Sequence, residues 1–306
     1  MKGVNNFISI TFLGTGAAIP PLNRFQSSFA LRHDNGLLIF DCGEGCQYSM
    51  RKYRVSTKKE IIICISHLHS DHFLGLPGLL SSFELLGREE KIIIIGPIGI
   101  KELVEGLINA NHVIHNYPIE VVSISDGQIY ETNTFSITVV KALHKARALS
   151  FIWKENDRPG TMITEKLDEL GIPRGPLVGK LQRGISIELD GKIIHSKDVQ
   201  GPVKKGRIIV YSGDTYPNPN LIEHIPGKCT ILIHEGTYGS GDEQLAKERG
   251  HSTIDSVAKL ATTGNVEKLV ITHISARITN LKEELMNAKQ IFNNIVFAKD
   301  GMNITL

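Results

Sequence analysis

The stretch Ser66-His67-Leu68-His69-Ser70-Asp71-His72 gathers three imidazoles and a carboxylate directly behind the apolar run Ile61-Ile62-Ile63-Cys64-Ile65. That run is short and β-branched and reads as a fully buried β-strand, so the polar cluster falls where a strand gives way to a loop. Loops at strand ends are where α/β enzymes carry their chemistry. Histidine is the commonest metal ligand, and zinc also takes carboxylate oxygens. His67 and His69 alternate with Leu68, so in an extended loop both rings point the same way. Asp71 and His72 follow on a turn and face a second point, which makes two half-sites and suggests a two-metal centre.

Other strand ends carry the same kind of residue. Ile208–Tyr211 is followed by Asp214 in a Ser-Gly-Asp-Thr turn, Ile231–Ile233 by His234-Glu235, and Leu269–Ile271 by His273, while His144 follows a strand ending near Lys141. With His67, His69, Asp71 and His72, the residues His144, Asp214 and His273 make seven ligands. Seven suffice if one carboxylate bridges two zinc ions and each keeps a position open. The spacing predicts strands at Phe7–Leu13, Ser27–Arg32, Leu37–Phe40, Lys91–Ile95, Glu120–Ile124, Thr134–Val140 and Ile295–Ala298. It predicts helices at Leu74–Leu86, Ile100–Asn109, Thr253–Thr262 and Leu281–Phe292. Two such series imply an α/β fold of two packed sheets flanked by helices. Residues 145–206, rich in glycine, proline and lysine, break the pattern and read as an irregular, protruding insertion.

At 306 residues, with 41% apolar and 22% charged side chains, the chain has the composition of an ordinary globular protein. No apolar run approaches the ~20 residues of a bilayer span. The opening Met1-Lys2-Gly3-Val4-Asn5-Asn6 lacks the apolar core of a signal peptide, which sets the expectation of a cytoplasmic protein with no membrane partner. Cys42 and Cys46 have no second close pair to complete a zinc knuckle, and Cys64 and Cys229 lie in apolar runs, so reduced thiols are expected. Net charge is +2, but residues 171–207 hold eight basic side chains against three acidic ones. A local basic excess favours a polyanionic partner, although a solvated lysine face gives the same count.

The H-x-H-x-D-H cluster, His144, the Gly213-Asp214-Thr215 turn and His273 together resemble the metallo-β-lactamase superfamily, in an order that spans nearly the whole chain. Within it, His234-Glu235-Gly236-Thr237, Gly250-His251-Ser252-Thr253 and Thr272-His273-Ile274-Ser275-Ala276-Arg277 resemble motifs of the tRNase Z family, endonucleases that trim 3′ trailers from precursor tRNA. The insertion with Gly175-Pro176 resembles that family's tRNA-gripping flexible arm. The resemblance implies a single αββα-sandwich domain over 1–306 with a basic flexible arm at 150–205. It implies two Zn2+ per subunit, one on His67, His69 and His144, the other on Asp71, His72 and His273, with Asp214 bridging and Asp41 buttressing.

Asp71 would also serve as general base, and Glu235 with His251 as proton relay to the leaving oxygen, which is chemically apt because a ribose 3′-oxygen departs poorly without an acid. A plainer reading makes Ser252 a helix cap and Glu235 a satisfied buried acid. Substrate contacts are expected from Arg24, Gly175, Pro176, Lys180 and Arg183. The implied partners are precursor tRNA and a second copy in a homodimer. In the loop Pro20–Phe25 the family's lysine and asparagine are replaced by Leu22 and Phe25, with Arg24 retained. The alternative is a small-molecule phosphodiesterase or arylsulfatase of the same fold, which would need no basic arm.

Overall fold

Fully buried parallel strands read as unbroken apolar runs because both of their faces are covered, and the computed structural model is built around such runs. It describes residues 7–33, 36–57, 59–111 and 116–306, so the leader reading made on Met1–Asn6 lies outside the described residues. In chain order the strands are β1 (Ile8–Gly14), β2 (Ser28–His33), β3 (Gly36–Phe40), β4 (Ile61–Cys64), β5 (Ile92–Gly96), β6 (Ile119–Ser123), β7 (Ile129–Glu131), β8 (Phe135–Lys141) and β9 (Leu149–Glu155). They continue with β10 (Ile187–Leu189), β11 (Lys192–Ile194), β12 (Ile208–Tyr211), β13 (Ile231–Glu235), β14 (Leu269–Thr272), β15 (Ile295–Phe297) and β16 (Asn303–Thr305). One seven-stranded sheet has the order β16-β1-β2-β3-β4-β5-β6, the other β15-β14-β13-β12-β9-β8-β7.

Both sheets are mixed or carry parallel cores. β1 runs antiparallel to β2 and β16, whereas β3 through β6 pair in parallel, as do β12 through β15. Side chains alternate between two burial environments. In β3, β4 and β5, Leu37, Ile39, Ile61, Ile63, Ile92 and Ile94 join a core with the helices α1 (Cys46–Lys52), α2 (Ser70–Phe73), α3 (Leu76–Leu85) and α4 (Ile100–Asn111) on their side of the fold. Ile208 and Val210 of β12, Leu232 and Leu269 join a second core with Val257, Ala258, Ala261 and Ala288. Between the sheets, Phe29 and Phe40 meet Tyr211 and Phe151 with ring centroids 5.1–6.0 Å apart. The result is the helix-sheet-sheet-helix layering that the resemblance implied.

The insertion departs from expectation. Residues 145–206 are not irregular from their start: the strand pattern continues through β9, where Phe151, Ile152 and Trp153 are buried. The Gly- and Pro-rich residues that follow obscure this buried run in the sequence. The chain divides into two units, one of Met1–Tyr130, Ile137–Trp153 and Ile208–Leu306, the other of Glu131–Ser136 and Lys154–Arg207.

The second unit has its own small core of Leu167, Ile172, Leu181, Ile187, Ile194 and Val199, built from α5 (Thr164–Glu169), α6 (Pro176–Gln182), the β10–β11 hairpin and α7 (Ser196–Val199). Its neck is tied by mutual backbone bonds between Arg158 and Lys204 and by Glu155, which pairs with Arg158 and Arg207. It holds eleven basic and nine acidic residues, because Glu155, Asp157 and the acids of α5 lie outside the 171–207 window that showed the excess.

Four helices complete the first unit: α8 (Pro219–Glu223), α9 (Glu243–Arg249), α10 (Ile254–Thr263) and α11 (Leu281–Ile291). Among the described residues no helix is long and apolar enough to cross a membrane. All four cysteines are buried and free.

Trp153 is a decisive residue for β9. Trp153→Ala is expected to cost about 3–5 kcal/mol, read as a lowered urea midpoint; a near-neutral result would return this segment to a loop.

Candidate metal centre

The polar loops at the ends of β4, β12, β13 and β14 meet at one edge of the first unit. His67 follows β4 and is buried, with Nε2 2.9 Å from His69 Nδ1, while His144 Nε2 lies 3.4 Å from the same His69 atom. These three can present donors to one ion. Beside them, His72 Nε2 lies 3.3 Å from both Asp71 Oδ2 and Asp214 Oδ2. His273 Nε2 lies 3.3 and 3.4 Å from the same two oxygens, so Asp71, His72, Asp214 and His273 form a second donor group. Asp214 Oδ2 is also 3.7 Å from His67 Nε2, which places this carboxylate between the groups.

Four of the rings are aimed from behind. His67 Nδ1 meets Ser66 Oγ at 3.0 Å, His72 Nδ1 meets Asp41 Oδ2 at 2.6 Å, and His144 Nδ1 meets the Gly250 carbonyl at 2.7 Å. His273 Nδ1 meets Thr237 Oγ1 at 2.7 Å. In all four the Nε2 atom is left facing inward, the arrangement by which outer partners orient metal-binding imidazoles. His72 Nε2 and Asp214 Oδ1 are buried without a hydrogen-bond partner. Buried polar atoms are normally satisfied, and an N-donor and an O-donor left open in one cluster of histidines and carboxylates fit a divalent transition metal.

The local backbone is shaped for this convergence. Gly213 has φ +57°, and a Cβ there would lie 2.7 Å from the Leu149 carbonyl, so only glycine lets the turn before Asp214 pass that strand. Asp41 and His273 adopt left-handed φ values of 54° and 55° without being glycine. Such backbone costs of order 1–3 kcal/mol each and clusters at functional sites. Electrostatics sort the side chains. Burial and neighbouring His72 hold His67 well below the usual imidazole range. Burial opposes charge on His72, but Asp214 and Asp41 outweigh it and raise its pKa well above normal. Burial would raise the pKa of Asp71, yet hydrogen bonds from His273 and His72 hold its carboxyl far down; His273 and His72 do the same for Asp214.

Next to the donors, Glu235 Oε1 accepts from His251 Nδ1 at 2.8 Å. Burial lowers the His251 pKa, but Glu235 outweighs it and pushes the value up to about 9. His251 is partly exposed whereas Glu235 is buried. The cap of α10 is Thr253, which accepts from Ser256 N, and Ser252 instead donates to the Thr215 carbonyl, so the capping account of Ser252 does not hold. Glu235 is indeed satisfied, but by site residues.

Arg24 is corrected: it is buried, and its Nη1 donates to Thr15 Oγ1 and the Ala298 carbonyl, both at 2.6 Å, so it anchors its loop instead of facing a substrate. Lys180 and Arg183 are exposed in the second unit, where Gly175 caps α6 and Pro176 opens it. The sequence assigns no role to Tyr211, whose hydroxyl donates to Asp41 Oδ2 at 2.6 Å, or to Ser66 and Thr237, which stand in its motifs. A buried tyrosine hydroxyl at the end of an apolar strand was the available signal.

Comparison with known proteins gives the geometry a family. Residues 8–158 match the family model described as anti-Pycsar protein Apyc1. The chain is 36% identical over 300 residues to a ribonuclease Z of Methanosarcina acetivorans, covering 98% of each protein. It belongs to the ribonuclease Z family. It is therefore a hydrolase of the endoribonuclease type, with a metallo-β-lactamase fold. Human short-form tRNase Z superposes with a TM-score of 0.64 at 25% identity, covering 97% of this chain and 98% of that one. The metallo-β-lactamase fold protein YhfI of Bacillus subtilis superposes at 0.68 with 17% identity, covering 97% and 99% respectively, and shows the same fold.

The Glu235–His251 pair makes a signed prediction. Because its folded pKa is raised, charged His251 persists to about pH 9. The stability it lends is complete below the unfolded value near 6.5 and is lost as pH rises through 9. Glu235→Gln should bring the His251 midpoint down by at least one unit in an NMR titration; an unmoved midpoint would refute the coupling.

Proposed function

We propose that the chain removes the 3′ trailer from precursor tRNA by hydrolysis after the discriminator nucleotide, leaving a 3′-hydroxyl on the tRNA and a 5′-phosphate on the trailer. The reading rests on one juxtaposition: two donor groups sharing Asp214, with a protonated imidazole beside them, in a ribonuclease Z homologue. His67, His69 and His144 would hold one Zn2+, and Asp71, His72 and His273 the other, with Asp214 between. Bound zinc supplies Lewis acidity that makes water a competent nucleophile near neutral pH and offsets phosphoryl charge.

The chain's own residues do the rest. Asp71, kept ionised by its histidine neighbours, is placed to take a proton from the attacking water. His251, charged up to about pH 9 and oriented by buried Glu235, is placed to give one to the departing 3′-oxygen. Asp41 keeps His72 and Ser66 aligned through its two oxygens.

The second unit would serve as the tRNA-binding arm, with exposed Lys180, Arg183, Lys192, Lys197 and Lys204 contacting phosphates and shape, not base sequence. Gly175 and Pro176 would form part of that surface. Such a substrate places the protein in the cytoplasm. A homodimer is supported by the family likeness and by Leu85 and Leu86, which are 87% and 74% exposed at the end of α3. Sedimentation at twice the subunit mass is the expected result, and a persistent monomer refutes it.

The deciding assay uses end-labelled, 3′-extended precursor tRNA. A single cut beside the discriminator is expected, abolished by Asp214→Ala and weakened at least tenfold by Lys180→Glu with Arg183→Glu. No cut on any precursor, with metal-dependent turnover of a small phosphodiester untouched by the Lys180 and Arg183 changes, would favour the small-molecule hydrolase.

A further inference from the structure

Thr237 stands two residues beyond Glu235, its side chain between that carboxylate and the ring of His273. Its Oγ1 lies 2.7 Å from Glu235 Oε2 and 2.7 Å from His273 Nδ1, with His251 Nδ1 at 3.4 Å, and its backbone N–H donates to the same Oε2 at 3.0 Å. The residue is buried. Proton bookkeeping fixes the direction of these bonds. Glu235 carries a negative charge, held by His251, and an ionised carboxylate only accepts. The single hydroxyl proton of Thr237 must therefore point at Oε2. The hydroxyl has only lone pairs left for His273, so the proton between them belongs to Nδ1. That leaves His273 Nε2 with its lone pair facing Asp71 and Asp214.

We propose that Thr237 is a positioning residue that sets the tautomer of His273 for metal binding and, through Glu235, ties that ligand to the His251 proton donor. The remaining bonds to Glu235 agree with this. Oε1 accepts from His251 Nδ1 and from the backbone N–H groups of Thr215 and Ser252, and Oε2 accepts twice from Thr237. One carboxylate thus orients the acid directly and the ligand through one hydroxyl. Threonine suits the task because its β-branched side chain has few rotamers.

The inference rests on the metal-centre reading but not on the identity of the substrate, so its test needs no RNA. The full-length protein is loaded with Zn2+, and release to a chromogenic chelator is followed for the parent, Thr237→Val and Thr237→Ser. Valine keeps the shape and removes the hydroxyl; serine keeps the hydroxyl. Loss of an outer partner of a metal-binding histidine weakens affinity by about 10–100-fold, so Thr237→Val should release one of its zinc ions at least tenfold faster. Thr237→Ser should stay within about twofold of the parent. Nitrogen-15 spectra of histidine-labelled protein should show His273 protonated on Nδ1 in the parent and in Thr237→Ser but not held so in Thr237→Val.

Zinc release from Thr237→Val at the parental rate would overturn the proposal, as would Thr237→Ser failing as badly as Thr237→Val, which would make the residue a packing element. A parent that takes up no zinc would sink the metal reading and this proposal together. A parent that binds zinc but cuts no precursor tRNA would sink only the substrate assignment.

Discussion

The Asp41 carboxylate lies fully buried at the end of β3 and accepts from Ser66 N, Ser66 Oγ, His72 Nδ1 and Tyr211 OH at 2.6–2.8 Å. An isolated carboxylate there would cost several kcal/mol of lost hydration, so this charge is tolerated only while all four donors are in place. The donors come from the loop after β4, from the first turn of α2 and from β12, which belongs to the other sheet. Satisfying one anion therefore fixes the spacing between the sheets at the edge where the histidines gather. It also explains why Asp41 keeps a left-handed backbone that a residue with a side chain ordinarily avoids.

Electrostatic frustration in the site follows from the same packing. Five imidazoles and two carboxylates crowd together behind strand ends too rigid to let them separate. Burial and the carboxylates settle part of the conflict, holding the pKa of His67 down and drawing that of His72 up. Part stays unresolved, in the open Nε2 of His72 and the open Oδ1 of Asp214. A divalent cation is the simplest species that answers both an unused nitrogen donor and an excess of carboxylate.

Strand ends were the readable part of this molecule. Runs such as Ile61–Ile65 and Ile231–Ile233 are buried on both faces, so their limits are sharp in sequence and the polar residue that follows is conspicuous. β9 is hard to read because Leu149–Glu155 ends in charged residues and leads into Arg158-Pro159-Gly160, which obscures its short buried run. The anchoring role of Arg24 is invisible in sequence because its acceptors at Thr15 and Ala298 are nine and 274 residues away, and a lone arginine in a loop looks like a surface cation. Tyr211 is ordinary in one dimension, and Thr237 stands in a motif whose sequence does not say what its hydroxyl touches. Their roles depend on which atoms face them, and that is decided by sheet order, which pairs strands far apart in the chain.

The longer part of the second unit, Lys154–Arg207, leaves within β9 and rejoins at β12, and these two strands are neighbours in the same sheet. Its points of departure and return are thus set by the spacing between adjacent strands, about 4.8 Å. Any self-contained segment whose ends can meet at that spacing could occupy the position without altering the register of the sheet or the catalytic edge. Every candidate metal donor lies in the first unit, so exchange, enlargement or loss of the insert would leave the donor cluster in place.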